Sequence, residues 1–206
     1  MPMDDTPSFT LEHRLRASSS PGLTERSARV RASRDEDLAA VAAIYAHHVL
    51  HGSGSFELEG PTVEELGRRR DEVLAKDLPY LVVEQAGVLA GYAYANVFRP
   101  RPAYRFSVEN SIYLDPAFTG RGLGTLLLRE LLLACTEWGA RQMIAVIGDS
   151  ANVASIALHA RCGFRFAGVL HATGWKHGRW LDTVLMQAAL GPGNMAPGID
   201  AERTRC

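Results

Sequence analysis

Cysteine is scarce in this sequence, and charge of neither sign is in excess. The three cysteines, Cys135, Cys162 and Cys206, are widely spaced and odd in number, so neither a disulfide framework nor a zinc pattern is visible. With 22 Lys and Arg against 23 Asp and Glu, the formal net charge is −1. No basic excess is available to neutralise phosphates, which argues against nucleic acid as a partner. Because the cysteines form neither pattern, we expect a protein of the reducing cytoplasm.

Long apolar runs are also missing. No stretch of about 18 apolar residues is present, so no membrane-spanning helix is expected, and the first residues lack the apolar region of a signal peptide. The 206 residues, 47% of them hydrophobic, suffice for one domain with a sizeable core. We expect a disordered N-terminal extension over residues 1–28, a single domain over 29–191 and a flexible tail over 192–206.

Hydrophobic periodicity along residues 28–190 alternates between the strand and helix patterns. It predicts a short strand, two helices, a hairpin turning at Gly87, a strand, a helix, a strand, a short helix and two strands that turn near His177. Ser33, with Glu36 three positions later, matches a capping box for the first helix. The order predicts an α/β (α+β) fold with a mixed sheet and helices on its faces.

Glycines are concentrated where a predicted strand gives way to a helix. The strand "SVENSIYL" ends at Leu114, and Gly120-Arg121-Gly122-Leu123-Gly124 then leads directly into a Leu-rich helix. A Walker-type phosphate loop is excluded because no Gly-Lys-Ser/Thr run is present. A dinucleotide fingerprint is excluded because Thr125 occupies its last glycine position. Successive backbone amides wrapping a pyrophosphate fit the spacing; a tight turn without a ligand is the alternative.

A strand, a loop with Gly-x-Gly and an apolar helix resemble the acetyl-CoA site of the GCN5-related N-acetyltransferase (GNAT) superfamily. Three further segments, "FRPRPAYRFSVENSIYL", "AVIGDSANVASIALHARCGF" and "GWKHGRWLDTVLMQ", resemble the phosphinothricin and methionine sulfoximine acetyltransferase family. The resemblance covers about residues 29–190. It implies a GNAT fold, which has a mixed, mostly antiparallel sheet with helices on both faces and a splayed acetyl-CoA cleft, and it implies a homodimer.

The resemblance also assigns the residues that bind acetyl-CoA. Ile112, Tyr113 and Leu114 would line the acetyl group and the pantetheine arm, and Asn152 with Ser155 would contact the arm from a short helix. The pyrophosphate would lie on Gly120, Arg121, Gly122, Leu123, Gly124 and Thr125. One departure is Thr119, where the superfamily pattern has Arg or Gln; backbone amides would still make most contacts, and Arg121 would supply positive charge.

Two residues are candidates for proton transfer. Glu109 precedes the glycine loop on its strand, and alternation places it on one face with Ser111 and Tyr113. The family's proposed catalytic Glu stands in the same context, so Glu109 is expected to be the general base that deprotonates the substrate ammonium. A structural salt bridge is the alternative. His159 replaces the superfamily's Tyr and would protonate the leaving thiolate; a hydrogen-bonded structural histidine is its alternative.

The loop before Glu109 carries the candidates for substrate binding. Arg99 and Arg105 resemble the family's contacts to the substrate anion, and two prolines stiffen the loop that carries them. Phe56, in "GSGSFE", is expected to wall the pocket, whereas Arg101 is expected at the surface. A solvated basic turn is the alternative for this loop.

Two further features carry less information. His47 and His51 share a helix face beside His48, but no third ligand has a suitable spacing, so no metal is expected. The Trp-rich segment "GWKHGRWLD" fits either the far wall of the pocket or a subunit interface.

The sequence thus predicts an N-acetyltransferase that moves an acetyl group from acetyl-CoA to a small amino acid or its toxic analogue. A GNAT enzyme acting on another amine, such as a protein N-terminus or a polyamine, and a non-catalytic acyl-CoA sensor are the alternatives.

Overall fold

The computed structural model describes residues 28–198, so the predicted N-terminal extension up to residue 27 and the predicted tail beyond 198 lie outside the described range. Residues 192–198, the first part of that tail, lie near β5, where Arg141 Nη2 donates to the Pro197 carbonyl at 3.1 Å. The elements are β1 (Ala28–Ala32), α1 (Leu38–His51), α2 (Val63–Leu74), β2 (Tyr80–Gln85), β3 (Val88–Val97), β4 (Ser107–Leu114), α3 (Leu123–Trp138), β5 (Gln142–Gly148), α4 (Val153–Arg161), β6 (Arg165–Lys176) and β7 (Arg179–Ala189).

The strands form one open seven-stranded sheet in the order β1-β2-β3-β4-β5-β7-β6. Neighbouring strands are antiparallel except β4 and β5, which are parallel. The element order and the mixed, mostly antiparallel sheet confirm the predicted architecture. No helix within residues 28–198 is both long and apolar enough to cross a membrane.

Two-residue turns close the hairpins where predicted. Ala86 and Gly87 have φ of 53° and 75°, and His177 and Gly178 have φ of 52° and 70°. Two successive residues with positive φ match the twist of antiparallel strands, so these turns fix the pairing of β2 with β3 and of β6 with β7.

Side-chain contacts place the helices on both faces of the sheet. On one face, the Tyr45 ring of α1 lies edge-on to Tyr113 of β4, with centroids 5.0 Å apart. On the other, a Cβ added to Gly124 of α3 would lie 3.3 Å from Leu114 Cδ1, and His159 of α4 contacts Asn110. Neighbouring β4 residues therefore point to α1 on one face and to α3 or α4 on the other, which gives the site two distinct walls.

The predicted cap of the first helix is wrong. Helix α1 begins at Leu38 after a short 3₁₀ turn, and the Asp37 carboxylate accepts the Arg34 backbone N–H at 2.7 Å. The Ser33 hydroxyl instead accepts from Arg70 Nε at 2.7 Å. Arg70 is buried, and a buried guanidinium requires acceptors, so Ser33 is used for that purpose.

Candidate active site

A cavity of about 1180 Å³ lies where β4 and β5 separate. The parallel pairing runs only from Ser107 opposite Gln142 to Asn110 opposite Ala145, although β4 continues to Leu114 and β5 to Gly148. Beyond that point the sheet splays, and the facing backbone edges of the two strands are left open to a ligand. The predicted splayed cleft is therefore present in the structure.

One end of the cavity, here called the glycine end, is formed by residues 120–125. Gly120 and Gly122 have φ of 73° and 81°, in the left-handed region that side chains with a Cβ disfavour. Gly122 is the N-cap of α3, so the first amides of that helix face the cavity without a side-chain cap. Backbone amides at the start of a 16-residue helix are well suited to an anion.

The side chains of Thr119 and Arg121 donate hydrogen bonds to carbonyls of the loop that precedes the glycine end. Arg121 is absent from the cavity lining; its guanidinium donates to the Ala117 carbonyl at 2.8 Å and lies over the Phe118 ring. Thr119 lines the cavity, and its hydroxyl donates to the Pro116 carbonyl at 2.9 Å. Arg121 thus braces the loop, and the amides are the groups that face the cavity.

Helix α4 forms a further wall of the cavity beside the glycine end, where a Cβ added to Gly124 would lie 3.3 Å from Leu158 Cδ2. Asn152 is its N-cap, and its Oδ1 accepts the Ser155 backbone N–H at 3.2 Å, as a residue of this type commonly does. Asn152, Ser155 and His159 all line the cavity. His159 is 2% exposed, and burial lowers the pKa of its imidazole.

Glu109 lies on the cavity wall in β4, opposite Asn96 of β3 and Ile144 of β5. Burial raises the pKa of its carboxyl group above the ordinary value, and the positive charge of Arg99 opposes this shift. No ion pair or hydrogen bond to the Glu109 side chain is present among the described residues. A half-buried carboxyl group of this kind is suited to accept a proton.

The other end of the cavity is lined by a strap, residues 52–57, that follows α1. The Phe56 ring packs on two glycines: a Cβ added to Gly174 would lie 2.9 to 3.1 Å from three ring carbons, and one added to Gly148 would lie 3.2 Å from the ring and 2.1 Å from the Ser53 carbonyl oxygen. Phe56 lines the cavity.

Hydrogen bonds from α1 and from β6 hold the strap in place. The Tyr45 and Ser55 hydroxyl oxygens lie 2.9 Å apart, and Lys176 Nζ donates to the Ser55 carbonyl at 2.6 Å. Burial raises the pKa of Tyr45 to about 12, so its hydroxyl is neutral at physiological pH. The strap is therefore a fixed part of the wall.

Arg99 and Arg105, the predicted anion contacts, do not line the cavity. Arg99 lies over the Phe98 ring, and its charge acts on Glu109. Arg105 lies over the Phe106 ring and donates to the Pro102 carbonyl at 3.2 Å. The structure thus brings Arg99 close to the cavity without bringing either guanidinium into it.

Several residues that line the cavity were not predicted from the sequence. His48 Nε2 donates to the Leu114 carbonyl at 2.7 Å, and Glu57 pairs with Arg69 of α2 at 2.6 Å. Tyr45 and Tyr94 complete this wall. The alternation of Tyr92 and Tyr94 in β3 was the one pattern that could have indicated Tyr94. Tyr45, His48 and Glu57 line the cavity through contacts between segments that are distant in the sequence.

The two tryptophans of the Trp-rich hairpin lie at the surface of the protein. Trp175 and Trp180 are cross-strand partners with ring centroids 5.2 Å apart, and they are 57% and 61% exposed. Neither tryptophan lines the cavity, but Gly174 and Lys176 of the same segment contact Phe56 and Ser55 of the strap. Across residues 28–198 no group of three or more His, Cys, Asp or Glu side chains is arranged to hold a metal ion.

Comparisons with known proteins agree with this geometry. The model of the acetyltransferase (GNAT) family matches residues 41–164. A phosphinothricin N-acetyltransferase of Alcaligenes faecalis is 53% identical over 165 residues, which cover 80% of this chain and 84% of that protein. The L-methionine sulfoximine/L-methionine sulfone acetyltransferase of Salmonella typhimurium is 37% identical over 78% of this chain and 94% of its own.

A solved structure extends the comparison to the co-substrate. The crystal structure of a GNAT superfamily phosphinothricin acetyltransferase from Sinorhizobium meliloti, in complex with acetyl-CoA, superimposes with a TM-score of 0.81 at 44% identity, covering 84% of this chain and 94% of that one. The bare amides of the glycine end and the open strand edges of the cleft fit the anionic and amide groups of acetyl-CoA. The chain belongs to the GNAT family of acetyl-CoA-dependent N-acetyltransferases.

Proposed function

We propose that the protein acetylates the amino group of a small amino acid or a toxic analogue of the phosphinothricin or methionine sulfoximine type. The observation that carries this proposal is the half-buried Glu109, whose carboxyl group faces a cavity continuous with the glycine end. The names of the relatives at 53% and 37% identity support the substrate class.

Acetyl-CoA supplies the activated acetyl group and a thiolate leaving group when it is bound. Amides at Gly120–Thr125 would bind the pyrophosphate, and Asn152 with Ser155 would contact the pantetheine arm. The edge of β4 over Ile112, Tyr113 and Leu114 would pair with the arm as an added strand does. These contacts leave Glu109 at the end of the arm that carries the acetyl group.

Glu109 then acts as general base. Its carboxylate accepts a proton from the substrate ammonium, directly or through water, and the amine nitrogen forms a bond to the acetyl carbon as the carbon–sulfur bond breaks. The pKa of Glu109, raised by burial, brings the carboxylate closer in basicity to the working pH. A strand amide of β4 would polarise the thioester carbonyl.

The substrate would lie between Glu109 and the strap. Phe56 provides an apolar wall, and Arg99 and Arg105 would supply the positive charge for a carboxylate or phosphinate. Because neither guanidinium lines the cavity, this role requires the loop over residues 99–105 to move toward the substrate. Arg105→Ala should then lower kcat/KM for the amino acid and leave the KM for acetyl-CoA unchanged.

A homodimer is the proposed assembly, and its interface would include β6. Most of this edge strand is exposed, and three of its large side chains, Phe166, Leu170 and Trp175, are 63%, 50% and 57% exposed. Apolar surface of this kind is typical of an interface. Phe166→Glu together with Trp175→Glu should convert a dimer into a monomer in sedimentation measurements; a monomeric wild-type protein would contradict the proposal.

We place the enzyme in the cytoplasm, where its thiols stay reduced. Cys135 and Cys162 are free, and the proposed reaction uses acetyl-CoA.

The decisive experiment measures thiol release from acetyl-CoA with a panel of amines. The panel contains phosphinothricin, methionine sulfoximine, their carboxamides, a peptide and a polyamine. The proposal expects turnover with the free amino acids and a large loss with the carboxamides. Turnover with only the peptide or the polyamine would favour the alternative substrates, and binding of acetyl-CoA without any turnover would favour a sensor.

A further inference from the structure

The cleft opens at Asn110, and the side chain of this residue is unusual. It is 6% exposed, it is the last β4 residue paired with β5, and it lines the cavity. Its Oδ1 is buried and has no hydrogen-bond partner within the described part of the chain. A buried acceptor left unpaired costs free energy, so its presence at the opening of a ligand cleft calls for a donor.

The orientation of the Asn110 amide follows from His159. The Nδ1 atom of His159 lies 2.8 Å from the Ser155 backbone carbonyl, which can only accept, so Nδ1 carries the ring proton. The Nε2 atom of the neutral ring is then an acceptor, and it lies 3.0 Å from Asn110 Nδ2. Asn110 therefore donates to His159, and its Oδ1 must point away from the imidazole.

This chain of hydrogen bonds also limits what His159 itself can do. The single N–H of the neutral ring is used by Ser155, and the Phe164 ring lies edge-on, with centroids 4.9 Å apart. Burial lowers the pKa of His159, which keeps the ring neutral. The imidazole thus has no second proton to deliver, and it is placed to orient Asn110.

We infer that Asn110 Oδ1 accepts a hydrogen bond from an amide N–H of the pantetheine arm, and that His159 is a positioning residue that holds Asn110 in this orientation. The inference rests on the proposed course of the arm between β4 and β5. Among the groups on acetyl-CoA, the arm's two amides are the slender donors that can enter a cleft between strands. The bond would be made where the cleft begins, next to Glu109.

Binding of acetyl-CoA alone, measured by calorimetry without an amine, tests the inference. Asn110→Ala and His159→Phe should each weaken binding by about 3- to 10-fold, the effect of one neutral hydrogen bond. The double variant should bind no more weakly than Asn110→Ala, because His159 acts only through Asn110. Val108→Ala removes buried volume from the same face of β4, outside the cavity lining, and should leave the affinity unchanged.

The tautomer of His159 gives a second test, on the wild-type protein. Ring ¹⁵N chemical shifts should show a neutral imidazole protonated at Nδ1, with and without acetyl-CoA. A proton at Nε2, additive losses in the double variant, or equal losses in Val108→Ala and Asn110→Ala would each overturn the inference. Failure of the amine panel with normal acetyl-CoA binding would reject the proposed substrate and leave this result intact.

Discussion

At the glycine end of the cavity, five of the six residues 120–125 line the cavity, and three of these five are glycines. At the strap end, the lining comes from side chains of α1, β3, β4 and the strap, which are distant in sequence. The glycine end therefore depends on a local conformation, whereas the strap end depends on tertiary packing. Substitutions at the glycine end should change the affinity for acetyl-CoA, whereas substitutions at the strap end should change the stability and the KM for the amine. The following predictions test that difference.

The largest effect is expected at Glu109. Glu109→Gln should lower kcat by about 10² to 10⁴ near neutral pH and leave the affinity for acetyl-CoA unchanged, because the base does not contact the glycine end. In the wild type, kcat/KM should rise with pH as the carboxyl group loses its proton, and the raised pKa moves this limb above that of an ordinary Glu. A variant with wild-type kcat across the pH range would assign the base elsewhere.

A substitution at Gly148, against which the Phe56 ring packs, should give the next largest effect. In Gly148→Ala, the new methyl group would meet the Ser53 carbonyl at 2.1 Å, so the strap must shift. Overpacking of this kind costs about 1 to 3 kcal/mol of the free energy of unfolding, and the KM for the amine should rise while the Kd for acetyl-CoA changes little.

Gly168→Ala provides the matched control for this substitution. Gly168 lies in β6 with no atom within 4 Å of an added Cβ, and its φ is not in the left-handed range. Thermal unfolding and steady-state kinetics should match those of the wild type. If the two alanine variants show the same stability and the same KM for the amine, the strap is not held by its packing on Gly148.

Gly122→Ala should weaken acetyl-CoA binding through backbone conformation alone. The added Cβ meets no atom within 4 Å, but φ is 81°, a region that an L-residue disfavours by about 1 to 2 kcal/mol. The free variant should relax to another φ and must regain the original one to bind, which raises Kd by roughly 5- to 30-fold. Gly122→Asn should lose less, because Asn tolerates this region. Calorimetry on the two variants decides; equal losses would show that bulk, not φ, matters.

The smallest effect concerns stability at Glu109. Its folded-state pKa is raised by burial, so the folded protein holds this proton more tightly than the unfolded chain does. The resulting stabilisation is present at low pH and is lost as the pH rises through the folded-state pKa. Glu109→Gln should therefore raise the melting temperature at neutral pH and change it little in acid, measured by calorimetry at both pH values.

The same contrast explains which parts of the site could be predicted from the sequence. The glycine loop, Asn152 and Glu109 stand in contiguous motifs whose local pattern determines their position in a strand, a turn or a helix start. Glu57 and His48 line the cavity only because α1, α2 and the strap meet there, and no local pattern encodes that meeting. The interaction of Ser33 with Arg70 was missed for the same reason, since 37 residues separate the partners.

The seating of Phe56 on Gly148 and Gly174 has an evolutionary consequence. The three positions lie in the strap, in β5 and in β6, yet a side chain at either glycine is compatible with the strap only if residue 56 becomes smaller or moves. In relatives, a larger residue at 174 should therefore occur together with a smaller one at 56. The order of the two substitutions matters. A smaller residue at 56 first leaves a cavity, whereas a larger residue at 174 first produces a steric clash with the ring. The three positions should thus drift as one epistatic unit.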